Sequence, residues 1–258
     1  MGYDTFHAHR AAEYYNFLPQ VVKKTISSAV NHLPTSFKNM SFDFRAKKFV
    51  DGVSLPPKYR NQRWLGAFDG GERKNLLAPN VWNAVSSENE FEPIDRALSG
   101  KNYADPYNEL SYLYMRTYLL DDILVKVDRA SMYHSLEVRA PFLDTELASY
   151  VIGLPRKWKM NGFTTKYILK KLMENRLPQG IARRSKKGFG IPLSEWLMGD
   201  LKPLLISLLS EKRLKKQGIF NPKYVQSLVD AHLSKKSDNR KKLWTLLVFQ
   251  MWHKEWFS

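Results

Sequence analysis

Glu137 and Arg139 are the residues through which this sequence most directly offers chemistry. They alternate with apolar neighbours in Leu-Glu-Val-Arg-Ala (136–140), an extended pattern that sends both side chains to one side of the backbone. A carboxylate so placed can take a proton from an attacking nucleophile, and a guanidinium can hold a carboxylate or phosphate. About fifty positions on, Arg183-Arg184-Ser185-Lys186-Lys187-Gly188-Phe189-Gly190-Ile191-Pro192 sets four basic residues within five positions, beside glycines. Glycine lets backbone come close, and lysine presents a compact, movable positive charge, so this is the chemistry of an anion site. Lys186 and Lys187 are its candidate ligands. By pattern alone both stretches also suit plain solvated charge, on an edge strand and on a basic loop.

The elements that must position these groups come next. Leu120, Ile123, Leu124, Val127 and Ser131 fall on one stripe, which predicts a buried helix starting near Leu119. Asp121 and Asp122 then occupy its first turn, and Asp122 pairs with Lys126 four residues on. Pro141 keeps Ala140 out of helical geometry. Asp144 is a good N-cap for a helix of about eight residues, with Gly153 placed to end it. A buried helix thus delivers a carboxylate and a guanidinium on a short, stiff link. Upstream, the tyrosine-rich run 102–118 reads as core and leads into that helix.

Residues 11–33 read as one or two helices interrupted near Pro19, with Tyr14, Leu18, Val21, Val22, Ile26 and Val30 as a core stripe. Residues 56–84, with Gly66, Gly70, Gly71, Pro79 and Asn80, read as a loop-rich connection. Thr164 or Thr165 is expected to cap a helix whose buried face is Ile168, Leu169, Leu172 and Met173. Pro203 is expected to separate two apolar helices within 193–209, and Asn221-Pro222 to open another to about Leu233. Trp244, Leu247, Val248, Met251 and Trp252 mark the docking face of a closing helix. The expectation is a single, mainly α domain over residues 1–258.

Composition narrows the classes. Of the 258 residues 43% are hydrophobic, enough for a packed core. There are 41 basic and 25 acidic residues, a net charge of +16 that favours anionic partners. Cysteine is absent, which excludes disulfides and thiolate chemistry and suits a reducing cytoplasm. No signal peptide is evident, and no apolar run reaches the roughly 18 residues that a membrane span needs. The chain is expected to be soluble and cytoplasmic. His7 and His9 lack supporting ligands, so no metal site is expected. Gly70-Gly71 lacks the Lys-Ser or Lys-Thr of a phosphate loop. The basic and aromatic residues of 42–59 are better explained by long basic side chains lying over apolar surface than by nucleic-acid binding.

Val-Lys-Val-Asp-Arg-Ala-Ser-Met (125–132), Leu-Glu-Val-Arg-Ala-Pro-Phe-Leu-Asp (136–144) and Lys-x-Gly-Phe-x-x-Pro (186–192) together resemble the signatures of the asparagine synthase family, which includes glutamine-hydrolysing asparagine synthetases and β-lactam synthetases. The resemblance implies a mainly α, multi-helix C-terminal portion of an ATP-pyrophosphatase-type (adenine nucleotide α hydrolase-like) synthetase domain, without its parallel-sheet nucleotide half. The family's Gly-Asp-Gly-Gly-Asp-Glu-Leu-Phe-Gly-Gly-Tyr segment is entered here only at its last glycine, Gly2, before Tyr3. Its Ser-Gly-Gly-x-Asp-Ser loop is not in this sequence, nor is the nucleophilic cysteine of its glutaminase half. For the full-length enzyme the resemblance implies aspartate, ATP and Mg2+, and ammonia from glutamine, with a β-aspartyl adenylate on the way to asparagine. It makes Glu137 and Lys186 catalytic, with Arg139 and Lys187 as secondary substrate contacts. The chain alone is then expected to bind neither ATP nor Mg2+ and to make no asparagine; its partners are the missing glutaminase and nucleotide-loop halves. Two alternatives stay open. One is an amidotransferase of the same family acting on a sugar, peptide or β-lactam precursor. The other is a basic helical protein that binds nucleic acid or a scaffold. Oligomeric state is open too.

Overall fold

The computed structural model describes residues 2–184 and 190–257. Among these the chain is mainly helical, with one two-stranded sheet. It divides into two compact units.

The first unit comprises Met1–Leu18, Leu55–Arg60 and Phe91–Lys187. Its core is aromatic: Phe6, Tyr107, Leu110, Tyr114 and Met160, with Tyr3 and Tyr118 against them. Tyr3 stacks on Tyr114 at 4.6 Å between ring centroids, and Tyr118 meets Tyr3 edge-on at 5.4 Å. Such pairs add about 0.5–1.5 kcal/mol each beyond the area they bury. Two elements supply this core. In the helix Thr5–Asn16, Phe6, His9 and Ala12 face inward. In the helix Pro106–Tyr114, Asp105 caps the start by accepting from the Tyr107 N–H at 2.8 Å, and Tyr107, Leu110, Leu113 and Tyr114 are buried. A hairpin pairs Met160 with Thr165 and Asn161 with Thr164. Gly162 takes φ +57° at the first position of its two-residue turn, where a II′ turn requires positive φ.

The second unit comprises Pro19–Ser54, Asn61–Glu90 and Gly188–Ser258. Its core is aliphatic, with Leu197, Leu205, Leu209, Leu214, Val225 and Leu243 all but fully buried. Asp69 and Glu72 form a reciprocal capping box that starts the helix Gly70–Leu76. Asn221 accepts from the Lys223 and Tyr224 N–H groups to start Pro222–Leu233. Between them Leu77 bridges Phe220, with Ala78 N–H to Ile219 O at 2.9 Å and Asn221 N–H to Leu76 O at 2.7 Å. The helix Arg240–Phe257 lays Leu243, Leu246 and Leu247 into this core.

Several expectations hold. The break at Pro19 separates Thr5–Asn16 from Gln20–Asn31, Pro203 opens Lys202–Leu208, and Asp144 caps Thr145–Gly153. Others are corrected. Residues 56–84 hold the helices Pro57–Leu65, Gly70–Leu76 and Pro79–Val85 rather than a loop-rich run, because the capping box and the N-terminal prolines start helices that composition hid. The stripe across Tyr14–Val30 is not core: Gln20–Asn31 buries no residue and Val21 is 76% exposed. Neither threonine caps the helix Tyr167–Met173; both form the second strand of the hairpin, and Lys166 precedes the helix at φ +54°. That helix buries none of its four expected residues. On Arg240–Phe257 the buried face is rotated from the expected one. Trp244, Val248, Met251 and Trp252 are 40–54% exposed, and only Leu247 of the expected five is buried.

Candidate active site

The helix that begins at Pro106 does not stop at Tyr114. It runs on through a π-helical stretch, Met115–Leu124, into the α-helix Val125–Met132. Asp121 and Asp122 therefore sit inside a continuous helix, not in a first turn, although Asp122 does meet Lys126 at 3.9 Å. The expected burial is also corrected: Met115–Leu124 and Val125–Met132 contain no buried residue.

The end of this helix sets the candidate site. Ser135 adopts φ +56°, Ser135 N–H bonds Met132 O at 2.9 Å, and Leu136 N–H bonds Ser131 O at 3.0 Å. This is the Schellman pattern of paired bonds around a left-handed residue, here serine instead of the usual glycine. It turns the chain out of the helix into residues 136–140. At the other end Pro141–Leu143 forms a single 3-10 turn, with Leu143 N–H to Ala140 O at 2.8 Å. Asp144 then accepts from the Leu147 N–H at 2.9 Å. A five-residue link is so pinned at both ends.

On that link Glu137 and Arg139 are ion-paired through Glu137 Oε1 and an Arg139 terminal nitrogen. Their side chains are 66% and 87% exposed, respectively. In water such a pair contributes at most about 1 kcal/mol, so each group stays free to exchange its partner for a ligand. Lys186 and Lys187 lie outside the described residues. Just before them, Arg183 and Lys171 both bind Glu174, and the Arg183 hydrogen bond, aided by Lys171, holds that carboxyl below its ordinary range. Beyond them, in the second unit, Gly190 lies against the Asn39 amide so closely that a Cβ there would come within 1.7 Å of Asn39 Nδ2.

Two polar clusters, one partly buried and one buried, escaped the sequence. In the first unit Glu13 binds Arg10 and, at 3.1 Å, Arg156, whose guanidinium lies 3.6 Å over the Tyr107 ring centre. Burial raises the Glu13 carboxyl, but hydrogen bonds from Arg156 and Arg10 outweigh it and hold it below the usual range. Burial, and then the Glu13 carboxylate, push the Tyr107 phenol up. The Arg10–Glu13 spacing of three was the one local signal. In the second unit His232, Asp238 and Ser194 meet. Ser194 Oγ donates to Asp238 Oδ1 at 2.9 Å, Arg240 Nε donates to Asp238 Oδ2 at 2.6 Å, and Asn239 N–H donates to His232 Nδ1 at 3.2 Å. The serine is bonded to the aspartate rather than the histidine, and all three side chains are buried, so this is a structural clasp and not a hydrolytic triad.

The fold and this link define a mainly α protein carrying an exposed carboxylate–guanidinium pair between a helix end and a 3-10 turn. The asparagine synthase family model matches residues 1–254, and the chain belongs to that family. It is 27% identical over 255 residues to asparagine synthetase [glutamine-hydrolyzing] 1 of Bacillus subtilis, covering 98% of this chain and 38% of that protein. A putative asparagine synthetase [glutamine-hydrolyzing] of Mycobacterium tuberculosis is 27% identical over 253 residues, covering 98% of this chain and 37% of its own length. The amidase chry2 of Gibberella zeae is 25% identical over 213 residues, covering 80% of this chain and 28% of that protein. The chain thus spans under two-fifths of the length of these relatives. No solved structure matches it significantly. No helix among the described residues is long and apolar enough to cross a membrane.

Proposed function

We propose that this chain is the C-terminal portion of an asparagine synthase that amidates aspartate with ATP and glutamine-derived ammonia. The observation that carries this is the family match over residues 1–254. The names of the Bacillus and Mycobacterium relatives support it. In the proposed reaction the side chain of aspartate is first activated as its β-aspartyl adenylate. Ammonia nitrogen then bonds to the β-carbonyl carbon, the bond from that carbon to the AMP oxygen breaks, and one ammonia proton passes to the Glu137 carboxylate. General-base help of this kind is worth about 10²–10⁴-fold in rate. Lys186 offsets the negative charge on the adenylate phosphate and the departing pyrophosphate. Arg139 orients Glu137 or binds a substrate carboxylate, and Lys187 is a secondary contact.

Among the described residues no three His, Cys, Asp or Glu side chains come together as a metal-holding group. The nucleotide-loop and glutaminase portions are the partners, and the chain alone is proposed to be inactive, with the cytoplasm as its compartment. The test supplies ATP, Mg2+, aspartate and ammonium to the chain alone and to the chain with the nucleotide-loop portion of a relative. AMP and asparagine are expected only in the second case; turnover by the chain alone contradicts the proposal.

A second reading, which rests on the family rather than on any one relative, is the same chemistry on another acceptor, such as a sugar, peptide or β-lactam precursor. Acceptor competition in the same assay separates the two. The net charge of +16 also keeps nucleic acid as a ligand to be tested; binding that falls steeply with salt favours it.

A further inference from the structure

The run that carries Lys186, residues 183–192, leads in sequence straight into the helix Leu193–Met198. Six residues make a helix too short to hold itself, and Pro192 before it gives no side-chain cap. Two buried side chains take over. Leu197 is enclosed in the aliphatic core, and Ser194, also fully buried, donates through Oγ to Asp238 Oδ1 at 2.9 Å. Asp238 is itself held. Its side chain is 6% exposed, Arg240 N–H donates to the same Oδ1 at 3.1 Å, and Arg240 Nε donates to Oδ2 at 2.6 Å. The clasp also reaches the run by a second route. The Arg240 guanidinium donates to Lys38 O at 3.0 Å, the Phe37 ring centre lies 5.7 Å from that of His232, and the Asn39 side chain lies beside Gly190.

The other flank of the run is held less firmly. Arg183 pairs with Glu174, but those side chains are 80% and 35% exposed, and water weakens such a pair. The Ser194–Asp238 bond is buried and charge-assisted, so it is the stronger anchor. A lysine ammonium rides on a long flexible stem, so its placement depends on where the backbone beneath it is fixed. A misplacement of about 1 Å, caused far from the chemistry, can cost about 10²-fold in rate. We propose that Asp238, through its bond to Ser194, is a positioning residue for Lys186 in the amidation, fixing the backbone from which the lysine run departs. The proposal rests on the reading under Proposed function, which gives Lys186 its part in the reaction. It makes two buried residues that touch no substrate matter to turnover, beyond any share they have in the stability of the second unit.

The test is a double-mutant cycle on kcat for ammonia-dependent asparagine formation, with the chain assembled on its nucleotide-loop portion. Lys186→Ala is expected to lower kcat about 10²-fold and Ser194→Ala at least about tenfold. The double variant should fall no more than about threefold below Lys186→Ala, because the serine acts through the lysine. Asn221→Ala, which removes the cap of Pro222–Leu233 in the same unit, should leave kcat within about twofold at a temperature where every variant is folded. Ser194→Cys, close in volume and a weaker donor, replaces Ser194→Ala where the latter does not fold. Amide exchange on the chain alone gives a readout free of catalysis. Ser194→Ala should speed exchange within 185–193 at least about tenfold and leave Pro222–Leu233 unchanged. Losses that multiply in the double variant overturn the proposal, as does an unchanged kcat for Ser194→Ala or an equal loss for Asn221→Ala. Unchanged exchange within 185–193 also overturns it and leaves the role of Lys186 standing. Exchange that quickens while Lys186→Ala keeps full kcat supports the anchor and counts against the chemistry assigned to Lys186.

Discussion

Glu137 and Arg139 are ion-paired across a single intervening residue, on a link pinned by a Schellman turn at Ser135 and a 3-10 turn at Pro141. Neither group is buried. The pair is therefore set by backbone geometry rather than by packing, and its two members can be tested without unfolding the protein.

Arg139→Ala should leave stability unchanged within about 1 kcal/mol, since an exposed ion pair contributes no more than that. In the assembled enzyme it should lower kcat/KM. Arg139→Lys should restore it poorly if the planar fork is what binds a carboxylate. Urea midpoints and initial rates measured on the same variants check both parts.

The helix Arg240–Phe257 gives a test of the corrected buried face. Leu243→Ala should cost about 2–5 kcal/mol, as for a fully buried leucine. Val248→Ala, on the exposed side, should stay within about 0.5 kcal/mol. The sequence pointed to the wrong face because apolar residues occupy both sides of that helix: Trp244, Val248, Met251 and Trp252 look as suited to a core as Leu243, Leu246 and Leu247. The same ambiguity hid the fate of Leu120 and Val127, whose stripe is real but faces outward.

What the sequence did show were features with local causes. Asp144, Asn221 and Pro203 act through backbone groups within four residues of themselves, and each starts the expected helix. The Glu137–Arg139 link was legible because alternation and Pro141 fix an extended backbone. The Schellman end at Ser135 was not legible, because a serine in the left-handed region is not the usual signal. The clusters around Glu13 and His232 join residues from distant segments, such as Glu13 with Arg156 and Ser194 with Asp238, and no spacing rule reaches that far.

His232 makes stability depend on pH. Burial pushes its imidazole below the ordinary value; Asp238 opposes this and Arg240 adds to it. The unfolded histidine titrates near 6.5. Above that pH both states are neutral and the full stability is present. As pH falls through about 6.5 the unfolded chain takes up a proton that the buried ring refuses, so stability drops until the folded value is reached. Urea midpoints at pH 7.5 and 5.5 should differ less for His232→Gln than for the natural chain. An equal drop in both would remove His232 from the explanation.

Gly190→Ala should cost little, because the atoms that the added Cβ would meet are the far end of the exposed Asn39 side chain, which can swing aside. Thermal melts of the variant check this, and a large loss of stability would show that the Asn39 amide is held in place.

The role of Glu137 is tested most directly by the rate of ammonia-dependent asparagine formation, with the chain assembled on its nucleotide-loop portion. Glu137→Gln keeps the shape and removes the base. It is expected to lower kcat about 10²–10⁴-fold while the complex still forms. A Glu137→Gln enzyme that turns over within about threefold of the natural one would show that this carboxylate carries no proton in the reaction.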